Sequence, residues 1–158
     1  MRNADFLFTP VFDFDQAKAA VVDITERAAS VKRKVDVLTF CTVVCRPTQQ
    51  EADDYLNWYA DEQADWEAVD NLMTLQGMHA QSFTPEALAL YRDRMAAGHG
   101  GFPLVGTPDM IADLLETLSD TGIAGTTLAF VDYAKEFPYF RHEVLPRLEA
   151  KGLRQPAN

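Results

Sequence analysis

The stretch VDVLTFCTVVC, residues 35–45, restricts the fold more than any other part of the chain. Its Val, Thr and Phe content favours an extended strand. The apolar runs Val37-Leu38 and Val43-Val44-Cys45 leave neither face polar, so the strand is expected to be covered on both sides, as in parallel sheets. Parallel strands need long, usually helical crossovers, and the flanking sequence supplies them. Ala4-Asp5-Phe6-Leu7-Phe8-Thr9 stops at Pro10 and reads as a short strand; residues 126–131 read as a third.

Helical patterns fill the intervals. Residues 15–29 place Ala17, Val21, Ile24 and Ala28 on one face, with Asp13 or Asp15 as N-cap, and end near the basic turn Lys32-Arg33-Lys34. Thr48 and Glu51 form a capping box, after which Tyr55, Tyr59, Trp66, Val69 and Met73 share one face over roughly five turns. The opposite face carries eight Asp or Glu between Glu51 and Asp70, with no Lys or Arg, and reads as a solvated surface. Thr84-Pro85 and Thr107-Pro108 each mark a helix start, the second ending before Gly122. A last helix over roughly 135–151 contains Phe140, Val144 and Leu148, with a kink expected at Pro146 and Gly152 closing it. Strand and helix thus alternate, which is the pattern of an α/β fold with right-handed crossovers. Three strands fit a larger barrel or doubly wound sheet better than a complete one, and the abrupt entry into the first strand reads as a chain met midway through a larger architecture.

The chain has 158 residues, enough for one domain with a real core, and its net charge of −10 argues against nucleic acid or an anionic membrane as partner. The two cysteines, Cys41 and Cys45, sit about 13 Å apart on a strand, too far to bridge. With no secretory signal or long apolar run, the expectation is a cytoplasmic protein.

The glycine-rich stretch GHGGFPLVGTPDMIADLLE, residues 98–116, invites a phosphate-binding reading. Pro103 breaks G-x-G-x-x-G, and Thr107-Pro108 replaces the Lys-Ser/Thr of a P-loop. What remains is a glycine loop followed by a Thr-Pro helix start. His79, His99 and His142 lack metal-ligand spacing, as do the cysteines, so no metal site is expected. His79 and His99 fall in loops, where functional residues concentrate. Asp132 and Tyr133 follow a strand, the end at which parallel barrels place their chemistry; a helix cap and a packing aromatic are the alternative readings.

Several stretches together resemble the C-terminal part of the luciferase-like flavin monooxygenases: NADFLFT, VVCRPTQQEAD, GHGGFPLVGTPDMIADLLE, GIAGTTLAFVDY and EVLPRLEAKGLR. VVCRPTQQEAD and the NLMTLQGMHAQSF region are most similar to the branch that oxidises dimethylsulfone with reduced flavin, itself related to the alkanesulfonate monooxygenases. The resemblance implies a (β/α)8 TIM barrel of the bacterial luciferase type, with this chain, residues 1–158, as one partial domain holding the last three strands and their helices. It implies FMN reduced by a separate flavin reductase, O2, and a small organosulfur substrate. Residues 70–106 correspond to an insertion and lid region, with Gly98, Gly100, Gly101 and Gly106 as lid glycines. Phe40 and Thr42 align with an arginine and a histidine of sulfonate-oxidising relatives, which favours an uncharged substrate such as a sulfone. His79, His99 and Tyr133 become catalytic candidates, and Ser82 and Asp132 join Phe40 and Thr42 near flavin or substrate. The family's flavin phosphate-binding segment lies upstream of NADFLFT. The alternative expectation is a non-catalytic barrel fragment that folds by oligomerising or by pairing with a chain carrying the N-terminal barrel portion, because unpaired strand edges invite association.

Overall fold

The computed structural model describes residues 3–78 and 83–156. Its elements run β1 (Phe6–Phe8), α1 (Phe14–Ser30), β2 (Asp36–Cys45), α2 (Gln49–Asn57), a π-helical turn (Trp58–Glu62), α3 (Trp66–Leu75), α4 (Pro85–Gly98), β3 (Phe102–Gly106), α5 (Pro108–Asp120), β4 (Gly125–Ala129) and α6 (Tyr133–Ala150). The helix starts follow the sequence signals. Asp13 caps α1, Thr48 and Glu51 form their capping box at α2, and Thr84 and Thr107 cap α4 and α5 ahead of a proline.

Every strand pairing is parallel and involves β2. β1 lies along residues 36–38 of β2, β3 along 41–45 and β4 along 38–42. Leu38 has partners in both β1 and β4, and Cys41 has partners in both β3 and β4. β1 and β3 therefore share one edge of β2, end to end, while β4 takes the other. The main chain agrees: Asp36 N–H donates to Asp5 C=O and Arg46 N–H to Gly106 C=O, whereas the odd-numbered Val37 C=O accepts from Ala124 N–H on the opposite edge.

The α/β class and parallel sheet expected from the sequence are present, with four strands in place of three. The additional one, β3, comes from the segment read as a glycine loop. Residues 98–101 form a tight turn, but residues 102–106 are strand, and Gly106 ends β3 instead of hinging a loop. Pro103 conceals the strand in the sequence. In this register the β3 groups that bond β2 belong to Phe102, Leu104 and Gly106, so the proline nitrogen, which has no hydrogen to donate, faces the other way. Two further expectations change. The five-turn helix after Thr48 is broken by the π-helical turn and restarts at Asp65, which caps α3; α6 runs through both Pro138 and Pro146 without a break.

The two faces of β2 differ. Val37, Cys41, Val43 and Cys45 are buried against Ala17, Val21 and Ile24 of α1, Ile111 and Leu118 of α5, and Phe140, Val144 and Leu148 of α6. On the other face Leu38 and Phe40 are half-buried, and neighbouring Phe6 and Phe8 of β1 are 62% and 55% exposed. Cover returns where Gly101 approaches Phe40 and where Gly98, with Tyr59 and Ala97, lies over Thr42. Burial on both faces, expected for the whole of β2, holds for its C-terminal half alone.

Burial pushes the thiols of Cys41 and Cys45 up from 9.0 to about 11. The unfolded chain releases these protons first, so the stability they contribute is complete below pH 9 and is lost as pH rises towards 11. Urea unfolding across that range is expected to show a midpoint that declines with pH, with a flatter decline in the double variant C41A/C45A. Iodoacetamide at pH 8 is expected to label neither cysteine until the chain is unfolded.

The glycine turn at the mouth of the sheet

Parallel strands deliver their C-terminal ends to one side of the sheet. Here these are Thr9-Pro10 after β1, Arg46 after β2, Thr107 after β3 and Phe130 to Asp132 after β4. Helix α4 arrives at the same side and stops in a turn of three consecutive residues with positive φ: Gly98 (150°), His99 (57°) and Gly100 (81°). His99 N–H donates to Met95 C=O, and Gly100 N–H to Arg94 C=O, each 3.0 Å. A left-handed histidine is uncommon and costs on the order of 1 kcal/mol.

The turn is pressed onto β2. A Cβ on Gly98, whose φ is also positive, would collide with Thr42 Cγ2, so close approach requires glycine there; one on Gly101 would lie a tight 3.0 Å from Phe40 Cζ and 3.1 Å from Thr42 N. Beside it lies a cavity of about 230 Å3 whose lining includes Phe8, Pro10, Phe40, Gln76, Tyr91 and His99. A second, of about 210 Å3, lies between Thr42, Tyr59, Ala97, Gly98 and Phe130. Arg94 fixes α4 to the loop after β1, donating to Val11 C=O at 2.7 Å and to Phe12 C=O at 3.0 Å. Burial lowers its pKa from the ordinary arginine value.

The structure thus brings together Phe40, Thr42, Gly98, His99, Gly100 and Gly101, residues separated by more than fifty positions in the chain. His99 is exposed at the rim. Asp132 and Tyr133 line neither cavity. Asp132 is the N-cap of α6, accepting from Ala134 N–H and Lys135 N–H, and the Lys135 ammonium 2.9 Å away helps hold its carboxyl below the usual range. Tyr133 donates its hydroxyl to Leu128 C=O at 3.1 Å and packs edge-on against Phe130. His79 and Ser82 lie outside the described residues. No group of three or more potential metal ligands occurs among the described residues, and no described helix is long and apolar enough to cross a membrane.

One assembly was not foreseen from the sequence. Arg46, one residue beyond β2, donates to Glu136 of α6 at 2.6 Å, and the carboxylate is only 8% exposed. Its other oxygen accepts the Asp132 N–H at 3.0 Å, closing the start of α6. The Arg46 guanidinium also lies 3.9 Å from the centre of the Tyr55 ring, which packs on Tyr59 at 5.3 Å. Burial, reinforced by the Glu136 charge, raises the Tyr55 phenol and pushes that of Tyr59 up to about 12. The i, i+4 spacing of the two tyrosines was legible in the sequence. The pairing of Arg46 with a glutamate ninety residues away was not.

The Luciferase-like monooxygenase family model matches residues 1–125. Two FMNH(2)-dependent dimethylsulfone monooxygenases are similar in sequence. That of Pseudomonas fluorescens (strain Pf0-1) is 32% identical over 96% of this chain and 43% of its own length; that of Pseudomonas putida is 30% identical over 92% and 41%. The crystal structure of DmoA from Hyphomicrobium sulfonivorans superposes with a TM-score of 0.82 at 20% identity, over 99% of this chain and 39% of that one. Long-chain alkane monooxygenase gives 0.73 at 24% identity, over 98% and 39%. These two show the shared TIM-barrel fold, and the chain spans about two fifths of the length of the curated relatives it matches, consistent with a C-terminal portion.

Two variants probe the packing of this region. Gly98→Ala combines the collision with Thr42 and an unfavourable φ, and is expected to cost about 2–3 kcal/mol in urea unfolding. Glu136→Gln removes the charge opposite Arg46. The expected loss is about 2 kcal/mol, below the ~3–5 kcal/mol seen when a fully buried pair is broken, because Arg46 keeps some contact with solvent; a shift in thermal midpoint reads it out.

Proposed function

Because the chain belongs to the luciferase-like monooxygenase family, we propose that it forms the C-terminal part of a reduced-FMN-dependent monooxygenase acting with O2 on a small uncharged organosulfur compound such as a sulfone. The observation that carries this reading is the seating of the His99 turn over Phe40 and Thr42 of β2, level with the C-terminal ends of β1 and β4, the side on which barrel enzymes assemble their sites. The adjoining cavity suits a flat ring: Phe8, Phe40 and Tyr91 line it, and no Lys or Arg does so among the described residues. Among the described residues this lining offers an anionic substrate no permanent positive charge, which favours a sulfone over a sulfonate.

In this proposal reduced FMN, delivered by a separate flavin reductase, supplies the electrons for oxygen chemistry when bound. The chain's own residues shape part of the place where that chemistry would occur. Phe8 and Phe40 supply an apolar wall, and the Gly98–Gly101 turn packs on its Phe40 end. His99, on the rim, is the candidate to hold or deliver a proton; the sequence offers His79, Ser82, Asp132 and Tyr133 as further polar candidates. Residues 70–106, from the middle of α3 through β3, are assigned in this proposal to the insertion and lid region.

A second reading rests on the exposure of Phe6 and Phe8. A sheet face carrying two exposed phenylalanines needs cover, and the remaining strands of a barrel would supply it. In this reading the chain has no catalysis of its own and is completed by oligomerising or by pairing with a chain that carries those strands. Anaerobic titration with reduced FMN, alongside the mass of the protein in solution, separates the two. Saturable binding that is lost on Phe40→Asp supports the enzymatic reading, whereas a soluble oligomer without flavin affinity refutes it for this chain.

A further inference from the structure

The last carbonyls of an α-helix have no partner within the helix, and at the end of α4 each one matters because the strained turn begins there. Arg94 C=O accepts from Gly100 N–H, Met95 C=O from His99 N–H, and Gly98 C=O from Gly101 N–H at 3.3 Å. Ala97 C=O is bonded from outside the helix, by the hydroxyl of Tyr59 at 3.0 Å. Tyr59 sits in the π-helical turn between α2 and α3, where the wider winding interrupts the regular helical face. It lines the cavity shared by Thr42, Ala97 and Gly98. The ring does not stand free: Tyr55 packs on it, Arg46 covers Tyr55, and Glu136 holds Arg46.

We propose that Tyr59 is a positioning residue that clamps the Gly98–Gly101 turn, and with it His99, over Phe40 and Thr42. Its hydroxyl gives the end of α4 the partner that the helix cannot provide. Its ring is braced through Tyr55 and Arg46 against the start of α6. The assembly thereby ties the strand-to-helix junctions after β2 and β4 to the turn that covers the inner face of the sheet. The clamp itself stands on the contacts above; its importance for flavin or substrate rests on the function proposed for this site.

Tyr59→Phe in the full chain removes one hydroxyl and keeps the ring. Amide hydrogen exchange at His99, Gly100 and Gly101 is expected to accelerate about fivefold, the effect of losing one hydrogen bond, with Val43 and Val44 of β2 unchanged. The His99 ring resonance in a proton–carbon NMR spectrum is expected to move, a signature that a uniform loss of stability does not produce. Unchanged exchange with an unmoved His99 signal overturns the proposal, as does acceleration spread evenly over β2. Reduced-FMN titration of both proteins then tests relevance: weaker binding by the variant supports a role at the site, and equal binding overturns that role. If the parent chain binds no reduced FMN, the functional reading fails while the exchange result still decides the clamp.

Discussion

Hydrogen bonding along both edges of β2 is the constraint on which the rest of this molecule depends. Each of the other three strands pairs with β2, and α1, α2, α5 and α6 each follow directly on a strand. One face of β2 holds the principal core, with Val37, Cys41 and Val43 set against the helices. The other face is apolar at Leu38 and Phe40 and is covered where the Gly98–Gly101 turn, with Tyr59 and Ala97, lies against Phe40 and Thr42. A single strand therefore supplies the floor of the candidate site and the wall of the core, as parallel strands in barrels do.

The site is built from close approach more than from charge. Glycine at 98 and 101 lets backbone touch β2 directly, which leaves Phe40 and Thr42 beneath a turn instead of beneath a side chain. Electrostatics enters one step away, at Arg46 and Glu136. Their pairing is mostly withdrawn from water and joins the end of β2 to the first turn of α6. Such a pair adds little net stability for its burial, yet it is specific about which elements meet.

Much of this architecture could be read from residue order. The capping signals at Asp13, Thr48, Thr84 and Thr107 are local, since each side chain bonds a backbone group within three residues, and each held. The apolar face of α1 is equally local. What escaped was set by distant contacts. β3 is a strand because β2 presents an open edge beside it, not because FPLVG has strong strand character with a proline at its second position. The π-helical turn at Trp58 breaks a periodicity that the sequence continues smoothly from Tyr55 to Met73. His99 and Phe40 were singled out separately, but their meeting depends on how α4 is docked by Arg94 and Tyr59. Asp132 and Tyr133 stood at a strand end, where position favours function, yet the bonds they make here belong to the start of α6 and to Leu128.

The end-to-end placement of β1 and β3 along one edge of β2 has a consequence for how such a protein can diverge. The chain leaves the sheet at Cys45, forms α2, the π-helical turn, α3 and α4, and returns at Phe102 to the same strand it left. Everything in between is anchored at both ends to one rigid element, and it rejoins beyond the stretch where β1 is paired. The pairings of β1, β2 and β4 use no residue of the intervening segment, so the register of the frame does not run through it. A fold organised this way keeps the strand frame separate from the segment that covers its inner face.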